Sequence, residues 1–178
     1  MSKSERQLNF NDEREDIKKY LESINQQRHP ISLLLDGLDD MRNVGAIFRL
    51  ADAALVEKIY LYNCAFDLNQ KKLIRTSRST IQYVPFQILN TFEEIEQLKN
   101  TAQLVSLEIT NNSISYTEFQ PSESVILIIG NEKKGVSKEL LSVSDCSIHL
   151  PMYGVKTSMN VMCATGIAIY SILEKINS

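Results

Sequence analysis

The sequence predicts an α/β domain built on a mainly parallel sheet with helices on both faces. Three observations predict it. Strand-like apolar runs alternate with stretches of helical spacing along the whole chain. The runs themselves, ISLLL and VILIIG among them, are continuous Ile, Leu and Val, as strands buried on both faces require. A chain of 178 residues has room for one such core and is short for two.

Residues 12–28 are charged, with Ile17, Tyr20, Leu21 and Ile24 at helical spacing and Asp12 with Glu15 as a capping box. An appended helix over residues 1–29 is therefore expected to precede a domain of residues 30–178. In that domain ISLLLDGL reads as a buried strand, NVGAIFRLADAALV as a helix and KIYLYN as a strand. TIQYVPFQ reads as a short extended segment with Pro85 near its end. Thr91 with Glu94 forms a second capping box, opening the helix FEEIEQLKN. AQLVSLEI and VILIIG are strands, SKELLSV a short helix and CSIHLP the final strand. SMNVMCATGIAIYSILEKI is a long, largely apolar helix. No repeat or low-complexity linker interrupts the pattern.

Hydrophobic residues make up 43% and charged residues 23%, ordinary values for a globular chain. No apolar run approaches the ~18 residues of a membrane span, and MSKSERQLNFNDERED holds no signal-peptide core. A soluble, cytoplasmic protein is expected. Cys64, Cys146 and Cys163 are odd in number and widely spaced, so they read as buried thiols rather than a metal site or disulfides. His29 and His149 lie far apart with no third ligand in view, and no metal is expected. A net charge of −3 argues against a protein that coats nucleic acid, but a local basic patch can suffice. KKLIRTSRS concentrates Lys71, Lys72, Arg75 and Arg78, as either a solvated helix face or an RNA-binding patch.

Gly130 and Gly135 have the spacing of a phosphate-binding loop. Such a loop needs Lys directly after the second glycine, where this chain has Val136. Three polar clusters fall at strand carboxyl ends: Asp36 to Asn43, Gly130 to Glu132, and Pro151 to Asn160. Ligands bind there in parallel sheets, so one pocket fed by three strand ends is predicted. Asn43 at a helix start reads as an N-cap or a pocket residue. Arg49, six residues on between Phe48 and Leu50, reads as a surface residue or a bidentate phosphate ligand. Ser158 suits an N-cap, whereas Asn160 enters an apolar helix as a buried amide in need of partners.

In order, N-x-G-x-x-x-R, G-N-E-x-x-G and P-M-x-G-x-x-x-S-x-N-V resemble the three motifs of the SpoU/TrmH family, with the match running from about Leu33 to Tyr170. These are S-adenosylmethionine-dependent RNA ribose 2′-O-methyltransferases of the SPOUT superfamily. The resemblance implies a C-terminal deep trefoil knot, which periodicity alone could not reveal. It implies a cofactor bent into that knot, with contacts near Leu107, Gly130, Leu150 and Met159. In it Gly130 lets the chain turn against the adenosyl moiety. Asn43 and Arg49 take the catalytic positions, supported by Glu132, Ser158 and Asn160. A homodimer is implied as well, with the last helix at the interface and each active site drawn from both subunits. Burial of that helix within the monomer is an equally simple alternative.

Two departures stand out from the usual S-L-N-V-S. Met159 replaces Leu at similar volume, and Met162 replaces a small polar residue, which is expected to alter packing under the cofactor. Ala54–Leu55 stand where glycine is common. The implied substrate is RNA. tRNA is expected over rRNA, because short members with only terminal helices resemble the tRNA enzymes and ribosomal ones often carry an added N-terminal domain. The reaction is an in-line displacement, helped chiefly by holding the hydroxyl ~3–3.5 Å from the methyl carbon. A guanidinium is a poor base, so Arg49 is expected to grip the adjacent phosphate and stabilise alkoxide character. A non-catalytic RNA-binding module is the competing reading, and the presence of both Asn43 and Arg49 argues against it.

Overall fold

The run VILIIG is buried along its whole length, and so are residues 31–36 of the strand beside it. Both strands are covered on two faces, which continuous aliphatic sequence makes possible. The computed structural model describes residues 22–25, 27–66, 68 and 71–178. In chain order these form β1 (His29–Asp36), α1 (Met41–Ala53), β2 (Val56–Tyr62), α2 (Lys71–Thr76), β3 (Phe86–Leu89), α3 (Phe92–Leu98) and β4 (Gln103–Leu107). There follow β5 (Ile114–Ser115), β6 (Val125–Gly130), α4 (Lys138–Val143), β7 (Cys146–His149) and α5 (Val161–Ile176).

The strands make one seven-stranded sheet in the order β3-β2-β1-β6-β4-β7-β5. Every pair is parallel. Successive side chains of a strand point to opposite faces. Leu33, Leu35 and Leu127 accordingly pack with Ile47 and Phe48 of α1 and Ile169 of α5, while Leu34, Ile126 and Ile128 pack with Ile95 of α3 and Leu140 of α4.

The chain leaves β1 towards β2 and β3, and all later strands fill the other side. The order thus reverses between β1 and β6, which opens a crevice at their carboxyl ends. The register aligns those ends, with Asp36 beside Gly130 and Leu107 beside both Ile129 and Ile148.

TIQYVPFQ is not one extended segment. Thr80–Gln82 forms a 3₁₀ turn entered through Ser79 at φ 68°, and the strand begins only at Phe86. Pro85 has no N–H to give a ladder, although its carbonyl accepts from Ile59 N at 2.9 Å. The two-residue strand β5, paired with β7, was not foreseen and is too short to carry a period. Leu55, where glycine is common in the family, takes φ 45° after α1, a conformation that costs a branched residue free energy.

The box of Thr91 with Glu94 is present at α3. The other caps differ from expectation: Asp40, not Asn43, caps α1, and Asn160, not Ser158, caps α5. Of the appended helix, residues 22–25 are helical; Asp12, Glu15, Ile17, Tyr20 and Leu21 lie outside the described residues. Arg28 ties this end to the domain, donating to Val56 O at 2.8 Å and Tyr83 O at 3.1 Å. Among the described residues no helix is long and apolar enough to cross a membrane.

Candidate active site

Gly130 is the last residue of β6, and its φ is not positive. A Cβ built there would stand 2.2 Å from both Gly135 C and Val136 N. The glycine is required by close approach of the returning chain rather than by a turn at Gly130 itself. The left-handed residue of the loop is Gly135, at φ 70°. Asn131 and Gly135 exchange backbone hydrogen bonds of 3.0 and 2.8 Å, closing the loop. The Asn131 side chain accepts from Lys133 N and Lys134 N and donates to Gly37 O at 2.7 Å, which moors the loop beyond β1.

The amides that would cradle a phosphate are already used. Val136 N donates to Glu108 Oε2 at 2.9 Å and Ser137 N to Asp36 Oδ2 at 2.8 Å. With two carboxylates in place and no lysine at residue 136, the phosphate-loop reading does not hold.

The three polar clusters meet in one hydrogen-bonded chain. Asn160 Oδ1 accepts from Met162 N at 3.0 Å and Cys163 N at 3.4 Å, capping α5. That fixes the amide, so Nδ2 points away from the helix and donates to Asn43 Oδ1 at 3.2 Å. Asn43 is oriented in turn, and its Nδ2 donates to Glu132 Oε1 at 2.8 Å. Capping of α1 by Asp40 leaves the Asn43 side chain free for this role. Asn160 is exposed, not a buried amide. A helix N-terminus facing an open cleft supplies its partners instead.

The cleft above the strand ends has a volume of about 1470 Å³. Asn43, Glu132, Ser158 and Asn160 line it, as do Leu107, Gly130, Leu150 and Met159. Ser158 makes no hydrogen bond among the described residues and sits in the exposed stretch 153–160.

Arg49 does not line this cleft. It is exposed on α1 and has no ion pair among the described residues. Its neighbour Leu50 faces Gly166 of α5, where a Cβ would lie 3.7 Å away. Lys71, Lys72, Arg75 and Arg78 are exposed on and just after α2, also outside the cleft. Met162 packs against the core and does not itself line the cleft.

Sequence reasoning missed Glu108, Lys133, Lys134, Lys138, Lys156 and His149, all of which line the cleft. For Glu108 the signal was a carboxylate closing the buried run LVSL. His149 Nδ1 lies 3.0 Å from Ser113 Oγ.

The cysteines divide. Cys64 is half-buried, donates to Leu35 O and Tyr62 O, and is pushed up to about 11 by burial. Burial also raises Cys146, whereas Cys163 is exposed, against expectation, on the outer side of α5. Among the described residues no group of three His, Cys, Asp or Glu could hold a metal ion.

The model of the SpoU rRNA Methylase family matches residues 30–170. A curated relative, the 23S rRNA (guanosine(2553)-2'-O)-methyltransferase RlmP of Bacillus subtilis (strain 168), is 33% identical over 138 residues, covering 78% of this chain and 56% of its own. The TrmH/SpoU tRNA modifying enzyme of A. aeolicus superposes with a TM-score of 0.78 at 27% identity, over 89% of this chain and 83% of that one. An AdoMet-bound rRNA methyltransferase from Sinorhizobium meliloti gives 0.76 at 27%, over 86% and 61%. The chain spans 56 to 60% of the length of the curated relatives it matches.

Proposed function

The chain belongs to the SpoU methylase family, and on that premise we propose that it is an S-adenosylmethionine-dependent RNA methyltransferase acting on a ribose 2′-hydroxyl. The hydrogen-bonded chain Asn160–Asn43–Glu132 above Gly130 carries this reading. The residues present fit the cofactor. Leu107, Leu150 and Met159 offer an apolar wall, and Gly130 leaves bare backbone where any side chain would collide. The chemistry the cofactor supplies is an electrophilic methyl carbon on a sulfonium.

Asn43 and Glu132 orient the ribose, and Asn160 holds Asn43 in its productive direction. Ser158, free on the cleft lip, is available to the incoming nucleotide. Arg49 grips the phosphate next to the target hydroxyl and stabilises its alkoxide character. Because Arg49 lies outside the cleft of its own subunit, we assign it to the cleft of a second copy. The exposed stripe of Cys163, Ile167 and Tyr170 on α5 follows helical spacing and supports a homodimer through that helix. A C-terminal knot and a cytoplasmic location belong to the same reading.

tRNA is retained as the substrate, supported by the A. aeolicus tRNA enzyme, whose length this chain nearly fills. The Bacillus rRNA relative favours rRNA as the second reading. Tritiated S-adenosylmethionine incubated with bulk tRNA and bulk rRNA, followed by mapping of the 2′-O-methyl site, tests both. Label in tRNA is expected. Label in rRNA alone reverses the substrate, and cofactor binding without transfer to either RNA leaves a non-catalytic module.

A further inference from the structure

We propose that Lys133, Lys134 and Lys138 form a phosphate-binding lip through which the RNA backbone enters the cleft. The proposal rests on the methyltransferase reading above and extends it to a surface the sequence did not suggest. All three lysines line the cleft and are exposed. None makes an ion pair among the described residues.

The anions around the same cleft are mostly engaged. Asp40 pairs with Arg42 at 2.7 Å, Glu132 accepts from Asn43, and Glu108 accepts from Ile109 N and Val136 N. Asp39 alone of these is exposed with no hydrogen bond or ion pair among the described residues. A chain of net charge −3 therefore presents, on one lip of the cleft, three lysines that no ion pair holds among the described residues. Their backbone is held in place too, since Asn131 Oδ1 accepts from Lys133 N and Lys134 N and the Ser137 hydroxyl caps the helix that Lys138 opens.

The chemistry of the substrate then selects the occupant. A ribose cannot enter the cleft without carrying a phosphate on each side of it. Those phosphates come to lie at the lip, where unpaired ammonium groups release counterions from the RNA. The basic run on α2 stands outside the cleft and cannot serve phosphates flanking the target ribose in the same subunit.

The test compares the wild-type protein with the triple variant Lys133→Gln, Lys134→Gln, Lys138→Gln. Radiolabelled unfractionated tRNA and rRNA are titrated between about 50 and 200 mM salt. The slope of log affinity against log salt should fall in magnitude by roughly 2, at ~0.7 per lost contact to a single strand. Calorimetry with S-adenosylhomocysteine should give the same affinity for both proteins. An unchanged slope, or wild-type protein that binds neither RNA at low salt, overturns the proposal. So does loss of S-adenosylhomocysteine binding in the variant, which would assign the lysines to the cofactor. A slope change found only on replacing Lys71, Lys72, Arg75 and Arg78 by Gln moves the RNA to the α2 face instead. Wild-type protein that fails to bind S-adenosylhomocysteine removes the methyltransferase reading itself, an outcome distinct from these.

Discussion

The amide of Asn43 donates to Glu132 Oε1 at 2.8 Å although the two residues lie 89 positions apart in the chain. The contact exists because the carboxyl ends of β1 and β6 are aligned, Asp36 beside Gly130, so that the segments leaving them run side by side. Glu132 then has one strong donor, and that donor is itself held by Asn160. Orientation passes from a helix cap to a carboxylate through a single side chain.

This makes Asn160 separable into two functions. Asn160→Ala removes the cap of α5 together with the link to Asn43, and should cost about 1 kcal/mol in stability. Asn160→Ser keeps a good N-cap but has no amide to donate. Its urea midpoint should stay near wild type while its rate of methyl transfer falls as far as that of the Ala variant. A Ser variant with normal activity would show that the cap is the whole role of Asn160.

Arg49→Ala should abolish methyl transfer and leave S-adenosylhomocysteine affinity and melting temperature nearly unchanged, since Arg49 is exposed and unpaired among the described residues. If it serves the partner's cleft, co-refolding the Arg49→Ala protein with the Glu132→Ala protein should restore activity. One of the two sites in each mixed dimer would then be intact. Two inactive parents that give an inactive mixture would confine Arg49 to its own subunit.

Much of this site was legible in the sequence, and what was missed has physical causes. Continuous aliphatic runs announced the parallel sheet, and the polar residues that follow them marked the strand ends. The caps were misplaced because Asp40 and Asn43 are both good N-caps a few residues apart, and so are Ser158 and Asn160. Only geometry decides which oxygen reaches the amides. Burial of Asn160 was inferred from apolar neighbours, yet a helix N-terminus can stand in solvent while its body is buried. Glu108 showed only as a carboxylate closing the run LVSL, because its partner Val136 lies 28 residues away and no local pattern encodes such a contact.

Asp40 supplies a pH test of the cap on α1. Its carboxylate is held down to about 2, first by the hydrogen bond from the Arg42 side chain and then by the Arg42 backbone amide. A depressed folded value means stability that is fully present above the unfolded value, near 3.9, and lost as pH falls through about 2. Asp40→Asn keeps an N-cap without a titrating group. Between pH 5 and pH 2 (a range bracketing the two values, roughly, by that linkage) the variant should lose less stability than wild type in urea titrations. Parallel curves would mean that Asp40 contributes nothing to acid sensitivity.

Glu108 offers the sharpest test of the loop that carries Glu132. Its Oε2 accepts from Val136 N at 2.9 Å, and Val136 is 5% exposed, so Glu108→Ala leaves a largely buried donor without its partner. The expected cost is about 1–3 kcal/mol. Gly135→Ala should be harmful for two reasons: the residue sits at φ 70°, and its Cβ would approach Glu108 Oε2 to 2.3 Å. Only the second reason disappears when Glu108 is already Ala. Gly135→Ala should therefore cost less in the Glu108→Ala background than in wild type, the residue being the left-handed backbone penalty of roughly 1–2 kcal/mol. Urea midpoints of the two single variants and the double variant measure this coupling. Strict additivity would mean that the carboxylate of Glu108 does not rest against Gly135, and that something else holds the loop beneath Glu132.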